Sequence, residues 1–198
     1  MRIGIIGHFG GKEKFNDGQT VKTIAIYDAL KRYGIEDVDK IDTYYIKKNP
    51  FVFMAQFISG LFSDEKYIVL LSSNGRKVLF PILSFMSRHL NKEVYHYGIG
   101  GRLAREVSEK PSWKKYVSSF KSNWMESIEL AEQLQKLGVR NAIYLPNFKK
   151  LNILKEDELC TEYSAPFRFC TFSRVMKEKG IDELFAAVRR LKAENASF

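Results

Sequence analysis

Cysteine is nearly missing from this 198-residue chain: Cys160 and Cys170 are the only two, ten residues apart. With no metal-ligand partner pattern around them, they suit a reducing compartment, a structural disulfide between them being the alternative. Histidine is scarce as well. His8, His89 and His96 form no cluster, and Asp17, Asp64 and Asp182 are isolated, so no metal site is expected. Long apolar runs are absent too. The most apolar windows, residues 50–62 and 78–86, fall short of the ~20 residues a bilayer crossing needs. The opening MRIGIIGHFGG has neither the apolar core nor the cleavage site of a signal peptide, so a cytoplasmic protein is expected.

Acidic residues are also in short supply. Lys and Arg number 32 against 23 Asp and Glu, a net charge of +9. The excess is uneven: residues 76–121 hold ten Lys or Arg and three acids (Glu93, Glu106, Glu109), so 10 − 3 = +7. Such a field favours an anionic partner, whether nucleic acid, phospholipid surface or phosphorylated substrate, or else it is a solvated face. At 45% hydrophobic and 28% charged the chain is globular, with length for one core of about 150 residues plus a piece of another.

What is present alternates. Residues 2–6 read as a buried strand, followed by Gly7-His8-Phe9-Gly10-Gly11 and a helix over residues 20–33 that stops at Gly34. Further strands are predicted over 39–46, 67–71, 93–97, 121–125 and 141–145. Helices are predicted over 50–62, 77–90 (Pro81 early in it), 102–109, from 111 onward, and over 127–137. Residues 50–62 are apolar on nearly every side and are assigned to the core, with a surface dock as the alternative. The repeated βα rhythm specifies a doubly wound, mostly parallel α/β sheet over residues 1–148. It breaks over 149–166, a polar connector. One strand (167–172) and one helix (181–191) follow, too little to fold alone, and read as the start of a second domain over 167–198.

Three glycine features could meet an anion. Gly4, Gly7 and Gly10 are a weak echo of the dinucleotide fingerprint, but the loop of residues 11–18 is too long for a tight pyrophosphate turn. Gly10 and Gly11 fit better where substrate passes close to backbone. Arg174 and Lys179, with Gly180 opening the next helix, suit a diphosphate: a guanidinium fork, a mobile ammonium and helix N–H groups. His96, near a strand end, is either a proton-transfer or sugar-binding group or a histidine held in the core.

GKEKFNDGQTVKT (residues 11–23), SSNGRK (72–77), YHYGIGGRL (95–103) and YLPNFK (144–149) resemble the amino-terminal domain of bacterial family 4 retaining glycosyltransferases of GT-B fold. FCTFSRVMKEKGIDELFAAV (169–188) resembles the start of their carboxyl-terminal domain. The resemblance implies two Rossmann-like domains, the second truncated. It implies transfer of a sugar from a nucleoside-diphosphate sugar to a glycan or polyprenyl-diphosphate-linked acceptor in surface polysaccharide synthesis. Arg174, Lys179 and Gly180 would hold the donor diphosphate without a metal, and His96 would lie near the transferred sugar as the catalytic residue. Gly10, Gly11, Asp17, Asn74, Gly100, Gly101 and Glu126 would line the substrate cleft. No nucleic acid is implied, and an anionic inner-membrane surface is an expected partner of the basic field. The family's Glu-x7-Glu region would lie beyond Phe198, so the chain is expected to be inactive alone. Two alternatives stand beside this reading. One is a non-catalytic scaffold remnant. The other is an NAD-dependent sugar-nucleotide epimerase or oxidoreductase, for which Asp42 falls too early in the second strand.

Overall fold

The computed structural model describes residues 2–148, 153–159, 169–171, 173, 175 and 177–194. Two compact units are present, Met1–Lys150 and Leu151–Phe198. In the first, six strands alternate with helices: β1 (Ile3–Gly7), α1 (Gly18–Arg32), β2 (Val38–Asp42), α2 (Tyr45–Lys48), α3 (Pro50–Ser63), β3 (Lys66–Val69), α4 (Ser73–His89), β4 (Glu93–Gly98), α5 (Arg102–Glu109), α6 (Pro111–Ser119), β5 (Ser122–Met125), α7 (Ile128–Lys136) and β6 (Ala142–Tyr144). Every pairing is parallel, in the order β2-β1-β3-β4-β5-β6. This is a Rossmann-like, doubly wound α/β domain. The chain steps from β1 out to β2, crosses back over β1 to β3 and then continues one way, so its direction reverses between β1 and β3. That is the 2-1-3-4-5 order with a sixth strand added, distinct from the 3-2-1-4-5-6 order of dinucleotide-binding domains.

Alternation along the strands divides the core in two. On one face Tyr67, Val69, Val94 and Met125 meet Phe53, Phe57, Leu79, Phe80, Trp113, Val117 and Leu134 from the five-helix side. On the other, Ile3, Ile5, Ile68, Leu70 and Tyr97 meet α1 through Ile26. Strand β1 is buried at all five positions because helices cover both its faces.

Three elements depart from the sequence reading. Strand β2 ends at Asp42 instead of running to Ile46, because the Asp42 carboxylate accepts the Tyr44 N–H at 2.9 Å and the chain turns there into α2. Asp42 therefore does stand at the end of the second strand. Helix α4 begins at Ser73, with Ser72 accepting from the Gly75 N–H, so Pro81 lies inside the helix and not in its first turn. Helix α3 buries only Phe53, Phe57 and Gly60 and leaves Phe51, Met54, Ile58 and Phe62 exposed, where the sequence assigned it to the core.

In the second unit, α8 (Ile181–Ala193) follows a 3-10 turn at Lys177–Lys179, and a further 3-10 turn covers Glu156–Glu158. Most of the predicted 149–166 connector, Cys160 and half of the predicted 167–172 strand lie outside the described residues, and residues 169–171 form no strand.

Candidate functional site

All loops that follow a parallel strand reach the same end of the sheet, and the glycine loop after β1 is the longest that joins a strand to a helix in the first unit. Gly7 must be glycine, since a Cβ there would sit 2.7 Å from Thr23 Cγ2 of α1. Gly10 (φ 91) and Gly11 (φ 60) both adopt left-handed backbone. Asp42 fixes the loop by accepting the Phe9 and Gly11 N–H groups, each at 2.8 Å. Ten residues separate Gly7 from Gly18, and the start of α1 is already occupied. Asp17 caps it, accepting from Gln19 N (3.0 Å), Thr20 N (3.1 Å) and Thr20 Oγ1 (2.6 Å). Since the Thr20 hydroxyl proton goes to Asp17, His8 Nδ1 is the donor in its 2.6 Å contact with Thr20 Oγ1. Burial pushes the Asp17 carboxyl up, but the hydrogen bonds from Thr20 and Gln19 outweigh it and hold the group below its ordinary value.

Beside this loop opens a cleft of about 320 Å³. Phe9, Gly11, Tyr27, Lys40, Asp42 and Gln56 line it. The Lys40 ammonium lies 4.0 Å from the Tyr27 ring centroid and 5.4 Å from that of Phe9. Gln56 Oε1 accepts the Asp42 N–H at 2.9 Å, which leaves the Gln56 NH2 group for the cleft. Aromatic faces beside an amide, an ammonium and a carboxylate form a small polar-rimmed site of ligand size.

A second cluster was not anticipated from sequence. Lys22 of α1 is only 6% exposed, and its ammonium gathers three acceptors from three different strands' ends. These are Tyr97 Oη (3.1 Å), Glu126 Oε1 (3.0 Å) and Asn147 Oδ1. The ammonium also lies 4.8 Å from the Tyr97 ring centroid and 5.4 Å from that of Phe148. Burial, then Glu126 and Tyr144, push the Tyr97 phenol up to about 12. The available signal was Lys22 lying four residues before Ile26, a charge on a helix's buried stripe.

His96 is elsewhere. It is fully buried on the five-helix face, edge-on to Phe80 with ring centroids 4.9 Å apart. Asn123 donates its amide to Val117 O at 2.8 Å and so turns its carbonyl to the ring, where His96 Nδ1–H donates at 3.1 Å. Burial, helped by the Arg76 charge, pushes the imidazole down to about 3. It is a buried neutral histidine on the opposite face of the sheet from α1. Arg76, counted in the basic field, is 1% exposed and paired with Glu106 at 2.8 Å.

The remaining predicted residues divide. Gly10, Gly11, Asp17, Asn74 in the first turn of α4, Gly100 (φ 76), Gly101 and Glu126 all stand at the carboxyl end of the sheet. Lys179 and Gly180 (φ 70, before α8) belong to the second unit, and Arg174 lies outside the described residues. Among the described residues no three His, Cys, Asp or Glu side chains gather as a metal-ligand set. No protein-family model, curated protein or solved structure matches the chain significantly.

Proposed function

We propose that the chain serves a glycosyltransferase that moves a sugar from a nucleoside-diphosphate sugar to a glycan or polyprenyl-diphosphate-linked acceptor. The acceptor sugar lies in the cleft beside Gly11, its C–H face against Tyr27 and Phe9 and its hydroxyls toward Gln56 and Lys40. That cleft carries the reading, because an aromatic floor with a hydrogen-bonding rim recognises pyranose rings. Arg174, Lys179 and the N–H groups behind Gly180 hold the donor diphosphate, and their charge stabilises the departing nucleoside diphosphate as the glycosidic bond breaks.

A dinucleotide fits less well. The α1 N-terminus that would take its pyrophosphate is filled by Asp17, and both oxygens of Asp42, the residue placed for the ribose, are held by loop N–H groups. Ligand-observed NMR of the purified chain with a panel of nucleoside-diphosphate sugars and NAD(H) tests the choice. The expected result is saturation transfer to one sugar nucleotide, weakened by Lys179→Ala, and none to NAD(H). Transfer to NAD(H) alone would reverse it.

A further inference from the structure

Helices α3, α4 and α6 lie on one face of the sheet, since Phe53 and Phe57, Leu79 and Phe80, and Trp113 and Val117 share a single core cluster. Their outward stripes therefore point the same way, away from the sheet. On α3 that stripe is Phe51 (87% exposed), Met54, Ile58 and Phe62 (84% exposed), and none of the fourteen residues of the helix is charged. On α4 it is Val78, Ile82 and Phe85, flanked by exposed Lys77 and Arg88. Helix α6 adds exposed Lys114 and Lys115, and α2, leading into α3, adds Lys47 and Lys48. Not one acidic residue occurs in α2, α3, α4 or α6. Among the described residues Lys77, Arg88, Lys114 and Lys115 enter no ion pair.

We propose that this face docks on an anionic phospholipid bilayer. The apolar side chains of α3 and α4 enter the headgroup boundary, and the cations beside them neutralise lipid phosphates. Charge complementarity selects this occupant. Helices α5 and α7 share that side of the sheet and carry exposed Glu109, Glu129 and Glu132, which bounds the docking surface to α2, α3, α4 and α6. A second copy of the chain would bring this acid-free basic patch against itself, whereas an anionic bilayer supplies both the apolar depth and the opposite charge. No described helix is long and apolar enough to cross a membrane, so the attachment is to one surface. The inference rests on these helices alone and is independent of the glycosyltransferase reading.

Vesicle co-sedimentation of the full chain tests it, using phosphatidylcholine vesicles with and without phosphatidylglycerol at low and high salt. Binding should appear with phosphatidylglycerol and fall with salt. Lys114→Ala with Lys115→Ala should weaken it roughly thirtyfold, at about 1 kcal/mol for each lysine. Phe51→Ser with Phe62→Ser should weaken it by about tenfold or more. Both phenylalanines are already exposed, so the melting temperature should not fall and lost binding will not reflect unfolding. Equal binding to neutral vesicles, or none to either, would overturn the proposal. So would a stable dimer that Phe51→Ser with Phe62→Ser converts to monomer.

Discussion

Asp64 is the residue whose surroundings most constrain its chemistry. It is fully buried, and its Oδ2 finds no hydrogen-bond partner among the described residues. Gly4 and Gly60 make room for it, since a Cβ on either would come within 2.7 Å of that oxygen. Burial, and then the Asp39 carboxylate, raise its pKa from 3.8 to about 6. An acid raised on folding binds its proton more tightly in the native state. The stability it contributes is complete below about 4 and is lost as pH rises through about 6. His96 has the opposite sign. Its folded value is pushed down to about 3, so its contribution holds above about 6.5 and is lost as pH falls. Asp64→Asn keeps the shape and removes the charge. It should stabilise the protein by on the order of 2 kcal/mol at pH 7.5, with the gain vanishing near pH 4. Urea unfolding across that range reads it out, and a pH-independent gain would show that Asp64 is not protonated as described.

At the scale of elements, Pro81 offers a simple test. Lying inside α4 and exposed, it deprives the helix of one N–H and crowds the preceding turn. Pro81→Ala should raise stability by about 1–2 kcal/mol, the recovered hydrogen bond outweighing the freer unfolded chain. A lower melting temperature would mean that the proline's restriction of the unfolded chain outweighs the recovered hydrogen bond. Elements with local signals were legible in the sequence. Helix α5 has the predicted bounds, and α7 starts at its Ser127 cap and stops before Gly138 in left-handed backbone. Elements decided by distant contacts were not. The turn that ends β2 closes locally on the Tyr44 N–H, but the Asp42 carboxylate that makes it is also held by the Phe9 and Gly11 N–H groups of the β1 loop, more than thirty residues away in sequence. Nothing in PFVFMAQFISGLF tells which apolar residues lack a neighbour, so the outward stripe of α3 is visible only once the sheet claims the other side. His96 shares the period-two face of Val94, but the five helices over that face come from separate parts of the chain. Lys22 likewise became a site residue only when Tyr97, Glu126 and Asn147 converged on it.

For the whole molecule, the strand order places the reversal of chain direction between β1 and β3, with the glycine loop at the carboxyl end of β1. The aromatic cleft opens on the other flank of that loop, between the ends of β1 and β2. The loop is thus shared by both places, and its two left-handed glycines and the Asp42 clamp keep it open. The sugar-acceptor reading depends on that opening. Amide chemical-shift mapping of the full chain titrated with short glycans and, separately, with NAD(H) tests it most directly. Binding of a glycan should shift the amides of Phe9, Gly11, Tyr27 and Gln56 together in a saturable way, leaving those around His96 unmoved. Shifts absent with every glycan, and present with NAD(H) at Gly7, Gly10 and the first turn of α1, would contradict it.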